Sequence, residues 1–412
     1  MRAIVRFDVN PILSALSRHR VAVTLIVLEI ALACAVLCNA FFLIAGRLSL
    51  MRIDSGVDEA SLALVSLRGC ENCNHADVNA RVLTALRSIP GVRAAGVLNA
   101  APFGERAGDA GITLDAEGKQ FRGVPHFYAF GPDAIATLGL QPIRGRNFTA
   151  TDFQPTVAFS MPAKAEVWIP QTFADHLWPG EDPLGKEFWM GKFHYRIAGV
   201  LAHFARPNPG RSENGVASSE WSVILPVLDA EQSGRYVLRA DAAELPRVMQ
   251  AARDAVINAV PEAVFDQTRS RPLSKLRTEY FQRDRAMAWL LVAVIAAMLL
   301  VTALGIVGLT SFWVAQRTRQ IGIRRALGAT RGDILRYFQT ENFLIAGFGI
   351  VLGMLLAYGG NLFLMQQFEL ARLPLIYLPI GAALLWLLGQ IAVLGPARRA
   401  ASIPPAIATR SA

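Results

Sequence analysis

Two short motifs have residue types and spacings that suggest chemistry. Gly180 to Glu187, GEDPLGKE, matches GxxxxGK, the loop whose backbone N–H groups and lysine cradle nucleotide phosphates. The match fails at Glu187, where a Ser or Thr hydroxyl would hold magnesium, and it lacks the flanking strand and helix. Cys70 and Cys73 form a lone CxxC followed by Asn74 and His75. A haem-attachment motif would place His at position 74, and a redox or zinc centre would need a thioredoxin-like unit or two further ligands. A structural disulfide in an oxidising compartment is the simpler reading. Four Cys and six His, with no HExxH and no second CxxC, give no metal-ligand set, and no nucleophile or paired-acid constellation is found. The expectation is a chain without catalytic, cofactor-binding or metal residues.

The most informative segment is AQRTRQIGIRRALGATRGDILRYFQTENFLIAGFGIVLG, Ala315 to Gly353. Ile323, Ala326 and Leu327 make a small apolar face on a predicted helix otherwise rich in arginine, and Gly328 is placed to end it in the left-handed conformation. Thr330 and Asp333 have capping-box spacing and predict the start of the next helix. One reading is a helix lying on the lipid surface; the other is a docking knob for a cytoplasmic partner. The apolar face is too small for strong lipid anchoring, which favours docking.

Four apolar stretches would position that segment: Val21 to Gly46, Ala286 to Ala315, Phe343 to Met365 and Pro374 to Gly395. Each suffices for a hydrocarbon core that needs about 20 helical residues. A cleaved signal peptide would have an apolar region of only about 7 to 15 residues, so the first stretch reads as a retained anchor. The composition agrees, with 53% hydrophobic and 18% charged residues. The net charge of +9 reflects where arginine sits. Arg2, Arg6, Arg18 and Arg20 precede span one, Arg317, Arg319, Arg324, Arg325, Arg331 and Arg336 join spans two and three, and Arg398, Arg399 and Arg410 follow span four. Under the positive-inside rule both termini and the 316–340 link are cytoplasmic, and nucleic acid is not the expected partner. Glu29 and Asn39 in span one need a protein partner or water, or a protonated carboxyl in the case of Glu29. Cys34 and Cys38 read as packing residues, and Gly349, Gly353 and Ala357 repeat every fourth position, allowing a second helix to approach closely.

A chain of 412 residues has room for two or three units. The pattern divides it into a flank and first span (1–46), an outer domain (47–272), a stalk and second span (273–315), the cytoplasmic coupling segment (316–340), spans three and four (341–395) and a tail (396–412). The outer domain reads as mixed α/β. SLALVSL (Ser61 to Leu67), helical spacing over Ala76 to Ser88 and RAAGVLN make one strand, helix, strand unit. RYVLRA (Arg235 to Ala240), a helix over Ala243 to Ala259 and AVFDQ repeat that order, so the two ends should form one composite subdomain. FYAF, AEVWIP, HYRIAGVL and WSVILP predict a strand-rich insertion between them. Leu273, Leu276, Tyr280, Met287 and Leu291 fall at helical spacing, so the second span is expected to begin outside the bilayer as a stalk; a helix continuous from domain to membrane would carry force, and an ordinary amphipathic linker is the alternative reading.

At these residues the chain resembles a known family. QRTRQIGIRRALGATRGDILRYFQTENFLIAGFGIVLG and GPARRAASIPPAIA look like the FtsX-like permease domain of MacB-type ABC transporters. GPDAIATLGLQPIRGRNFTATDF and AEVWIPQTFADHLWPGEDPLGKEFWMGKFHYRIAGVLAHF are similar to that family's periplasmic core domain. The resemblance implies an α-helical inner-membrane protein with four transmembrane helices and a large mixed α/β periplasmic domain of Porter-like and Sabre-like subdomains between spans one and two. It implies that Arg317, Arg319, Ile321, Gly322, Ile323, Arg324, Arg325, Ala326, Leu327 and Gly328 couple the permease to an ABC ATPase. MacB itself has a fused N-terminal ATPase; here span one begins near residue 20, so ATP and magnesium are expected on a separate partner chain. A second permease copy, identical or related, is also implied, and an adaptor and outer-membrane channel are possible further partners. The expected function is export of antibiotics, peptides or other amphiphiles. Regulation of a periplasmic enzyme in the manner of FtsX, and lipoprotein extraction, are the alternatives.

Overall fold

The computed structural model describes residues 20–402 apart from 70–72, 105–106, 158–160, 212–214, 232–233 and 369–371. Cys70, and with it the expected Cys70 to Cys73 pairing, lies outside the described residues. The chain forms two compact units, Met1–Leu48 with Asp284–Ala412, and Ser49–Arg283. The elements begin with α1 (Arg20–Met51), β1 (Leu62–Arg68), α2 (His75–Arg87), β2 (Val92–Val97), β3 (Gly108–Asp109), β4 (Ile112–Thr113), β5 (Phe121–Gly123), β6 (His126–Phe130), α3 (Pro132–Leu138), β7 (Arg144–Gly145), β8 (Lys164–Pro170) and α4 (Gln171–Leu177). They continue with β9 (Glu187–Met190), β10 (Phe193–Leu201), β11 (Ser222–Pro226), β12 (Arg235–Ala240), α5 (Leu245–Ala259), β13 (Val264–Phe265), α6 (Leu273–Tyr280), α7 (Gln282–Gln316), α8 (Thr318–Ala326), α9 (Arg331–Phe368) and α10 (Tyr377–Ser402).

In the first unit α1, α7, α9 and α10 are long and apolar enough to cross a membrane. The α1 helix is central. Ile26, Ile30, Cys34 and Cys38, four residues apart, are buried on one face, while Leu25, Leu28 and Leu32 are exposed on the other. Glycines on all three neighbours meet the helix. A Cβ on Gly349 or Gly353 of α9 would press on Ile30 or Cys34, one on Gly381 of α10 would press on Cys38 Sγ, and one on Gly305 of α7 would press on the Glu29 carboxylate. Close backbone approach through small residues is how helices associate where lipid supplies no hydrophobic drive. Asn39 donates to Ala35 O at 3.0 Å, within its own helix.

In the second unit the two expected strand, helix, strand segments do form one antiparallel sheet, of order β13-β1-β12-β2. This is the β-α-β-β-α-β arrangement, with a long insertion between its halves. Val78, Val82 and Leu86 of α2 and Val248, Ala252 and Val256 of α5 cover one face, against Ala63, Val65, Tyr236 and Leu238. Leu62, Leu64 and Val237 face the other way, into a cluster with Tyr128, Phe130 and Ile135. Both faces of β1 are therefore covered, which explains its nearly unbroken apolar sequence.

The insertion is a nine-stranded sheet, β3-β6-β11-β8-β10-β9-β4-β5 with β7 also on β10. Its GRNF stretch has a structural role. Gly145 takes φ +90°, and a Cβ there would strike Ala198 O, so β7 reaches β10 only with glycine. Phe148 stacks on the buried Trp168 at 4.1 Å, and Trp168 Nε1 donates to Arg146 O at 3.1 Å. In GEDPLGKE, the Gly185 N–H donates to Ile197 O at 2.9 Å and Lys186 pairs with Glu181. That loop binds its own sheet.

Asp152 closes the GRNF turn. It accepts from Arg146 Nη1 and Nη2 at 2.6 and 2.8 Å and from the Thr149 N–H at 2.6 Å. The Arg146 guanidinium, aided by Thr149, holds its carboxyl down at about 2. Because this lies below the unfolded carboxylate value, the stabilisation is complete above about pH 4 and is lost as the pH falls towards 2. Arg146 is half exposed, so screening reduces the contribution to about 1 to 2 kcal/mol. Asp152→Asn is expected to lower unfolding stability by that amount at pH 7, with the gap from wild type closing near pH 2, as read by denaturant unfolding of the whole chain in detergent.

The stalk differs from the expected unbroken helix. Helix α6 ends at Tyr280, Phe281 takes φ −90° and ψ 9°, and α7 starts at Gln282. Phe281 is buried against Phe103 at 5.6 Å. Nearby, Arg277 donates to Met51 O and Ile53 O at 2.8 and 2.6 Å and pairs with Glu59 at 2.6 Å. Packing of Phe281 into the outer unit thus coincides with the break in the rod.

Candidate functional site

The coupling segment folds as its local sequence dictates. Helix α8 stops at Ala326, and Gly328 takes φ +98° while the Ala329 N–H donates to Arg324 O. The Thr330 N–H then donates to Asp333 Oδ2 at 2.9 Å, and the Asp333 N–H donates to Thr330 Oγ1 at 3.2 Å. This reciprocal pair satisfies N–H groups at the start of α9 that have no helical partner. Asp333 also places a carboxylate at the N-terminus of α9, where the helix dipole favours negative charge.

The ten residues expected to face a partner divide into two groups. Ile323, Ala326 and Leu327 are exposed, Leu327 at 83%, together with Arg319 and Gly328. Ile321 and Gly322 are buried inside the bundle. Their side of α8 faces inward. Three arginines also reach protein. Arg317 Nη1 donates to both Glu341 oxygens, at 3.1 and 3.2 Å, and the Arg317 guanidinium lies over the Trp313 ring. The Arg324 guanidinium lies 4.9 Å from the Tyr337 ring centre, and Arg325 Nη1 donates to Ala401 O at 2.8 Å near the end of α10.

Glu341 and Tyr337 were absent from the residues singled out in the sequence, although a signal existed. Glu341 is a lone acid at the head of an apolar span, four residues after Tyr337, and an acid so placed requires a partner. Its side chain is 2% exposed. Gly349, Gly353 and Ala357 lie further along α9, with the two glycines against α1 and Ala357 buried.

The second unit holds a cavity of about 250 Å³ whose lining includes Leu64, Leu98, Phe103, Leu276, Arg235 and Arg269. Ser66 and Thr268 join the two arginines in the lining, so the cavity is mixed, apolar on one part and polar on another. Among the described residues no group of three or more His, Cys, Asp or Glu side chains is placed to hold a metal.

Comparison with known proteins agrees with this organisation. The MacB-like periplasmic core domain matches residues 22–257, and the FtsX-like permease C-terminal domain matches residues 292–405. The macrolide export ATP-binding/permease protein MacB of Rhodospirillum rubrum is 28% identical over 311 residues, which is 73% of this chain and 45% of that protein. The pyoverdine export ATP-binding/permease protein PvdT of Pseudomonas aeruginosa is 29% identical over 239 residues, covering 57% of this chain and 35% of that protein. The chain spans less than half the length of these relatives. The periplasmic region of MacB from Actinobacillus actinomycetemcomitans aligns with 51% of this chain and 90% of its own, at 13% identity and a TM-score of 0.34. With the MacB-like periplasmic core domain matching more than half of its length and the FtsX-like permease domain matching residues 292–405, the chain belongs to the MacB-type ABC transporter permeases.

Proposed function

We propose that this chain is the permease of an exporter whose power comes from an ABC ATPase on a partner chain, docked at the exposed end of α8. The observation that carries the reading is the Ile323, Ala326 and Leu327 face, presented to solvent at a helical elbow between two spans and flanked by Arg319 and Arg331. A solvent-facing apolar patch rimmed by charge is the form of a protein contact. ATP and magnesium would belong to the partner, and this chain would perform no hydrolysis. Closure of the ATPase pair would move α8, and the spans would pass that motion to the unit outside the membrane.

The positive-inside pattern supports an inner-membrane protein with both termini and α8 cytoplasmic and residues 49–283 periplasmic. A second permease copy would complete the transporter, with an adaptor and outer-membrane channel extending it. The cargo class is amphiphilic organic molecules. The cavity lined by both apolar and polar side chains, and the two export relatives, support that class.

Purification of the complex through this chain is expected to bring down an ABC ATPase with an export adaptor. A wall hydrolase in place of the adaptor, or a chain active without any ATPase, would overturn the reading. Topology is tested separately. A cysteine replacing Ala326 is expected to react with a membrane-impermeant maleimide only after the cytoplasmic side is opened, and labelling in intact cells would refute the orientation.

A further inference from the structure

The arginines of α8 suggest a second role, distinct from contact with a partner. Arg317 sits at the α7 to α8 junction, where its backbone leaves helical geometry with φ −102° and ψ 13°. Such a junction is a natural place for the chain to bend. A load applied to α8 would be absorbed there unless α8 were fixed to another element.

Glu341 supplies that fixing point. Its carboxylate lies on α9, receives Arg317 Nη1 through both oxygens, and is 2% exposed, while the Arg317 side chain is 14% exposed. Tyr337, one turn earlier on α9, accepts from Arg317 Nη1 through its hydroxyl at 3.4 Å and receives Arg324 over its ring. Behind the pair, the buried indole N–H of Trp313 and the amide of Asn342 line a narrow space with Glu341 and Thr310. The pair is costly to separate, because the Glu341 carboxylate is buried and parting it from the partly buried guanidinium removes a charged partner in a poorly solvated setting. It therefore behaves as a stiff link, unlike an exposed pair.

We propose that the ion pair between Arg317 and the buried Glu341 is the pivot that fixes the coupling helix to span three, so that displacement of α8 becomes displacement of α9 instead of a local bend at the α7 to α8 junction. Arg317 and Glu341 are then positioning residues, and the exposed Ile323 to Leu327 face makes the partner contact. The inference rests on the docking reading for its functional consequence, but the pivot itself is a property of this chain alone.

Two measurements separate those levels. In the purified whole chain without ATPase, Glu341→Gln is expected to speed amide hydrogen exchange in α8 at least tenfold, and the swap Arg317→Glu with Glu341→Arg is expected to restore most of the protection that either single change removes. Exchange within twofold of wild type in Glu341→Gln, or a swap no better than the singles, overturns the pivot. In the assembled transporter, Glu341→Gln is expected to keep ATPase copurification at the wild-type ratio and to lower efflux of a macrolide probe per ATP hydrolysed at least fivefold. Unchanged efflux per ATP also overturns it. Should Glu341→Gln fail to accumulate, Arg317→Met with Glu341→Met removes both charges without orphaning one, and the same uncoupling is expected of it; normal coupling in that pair refutes the proposal. If no ATPase accompanies even the wild-type chain, the docking reading falls while the exchange result still decides the pivot.

Discussion

Gly353→Leu is expected to prevent assembly of the four-helix unit, leaving little monodisperse protein after detergent extraction. A Cβ at this position would lie 2.6 Å from Ala31 O, 3.1 Å from Ala31 Cα and 2.5 Å from Cys34 Cβ. Two of these three atoms are backbone of α1, so no side-chain rotation relieves the clash and the helices must separate. Separation would also open the contacts of Gly349 with Ile30 and Val27 one turn away. Overpacking in well-filled interiors costs about 1 to 3 kcal/mol where neighbours can shift, and a rigid backbone neighbour places this site at or beyond the top of that range. Gly359→Leu is the control. It lies on the same helix with nothing within 4 Å of its Cβ position, and it should extract and run as wild type by size-exclusion chromatography. Equal behaviour of the two variants would show that α1 and α9 do not meet at Gly353.

Local rules made much of this fold readable. Gly328, Thr330 and Asp333 set the end of α8 and the start of α9 through backbone conformation and capping, which depend on residues a few positions away. Likewise α2 and α5 followed from helical periodicity, because each buries one apolar face on the sheet, and β1 and β12 from short β-rich runs. The strands β3, β4 and β7, each of two residues, carry too few side chains to show a period and exist only because β6, β5 and β10 lie beside them. Phe281 was unreadable for the same reason. Helical spacing continues through it, and the interruption coincides with burial against Phe103, far away in sequence. At the candidate site, the arginines stood out, but their directions did not. Whether Arg317 faces a partner or Glu341 depends on how α8 is rotated, and that rotation is set by burial of Ile321 and Gly322 in the bundle.

That rotation makes the paired change Ile323→Asp with Leu327→Asp the most discriminating test of docking. Both side chains are exposed, Ile323 at 46% and Leu327 at 83%, and they lie four residues apart on one side of the elbow. Neither supports the bundle, so the substitutions should leave expression, extraction and the protection of α9 unchanged. In a protein contact they would act strongly. A few well-packed residues at the centre of an interface account for most of its affinity, and placing two carboxylates there removes apolar packing and requires burial of unpaired charge. A loss of about 3 to 4 kcal/mol for the pair corresponds to a fall of more than a hundredfold in ATPase affinity. Copurification at physiological salt is expected to disappear, while Arg319→Ala, a change at the rim, should lower it only a few fold and in a salt-dependent way. Retention of the ATPase by the double variant would move the contact off this face and onto the residues outside α8.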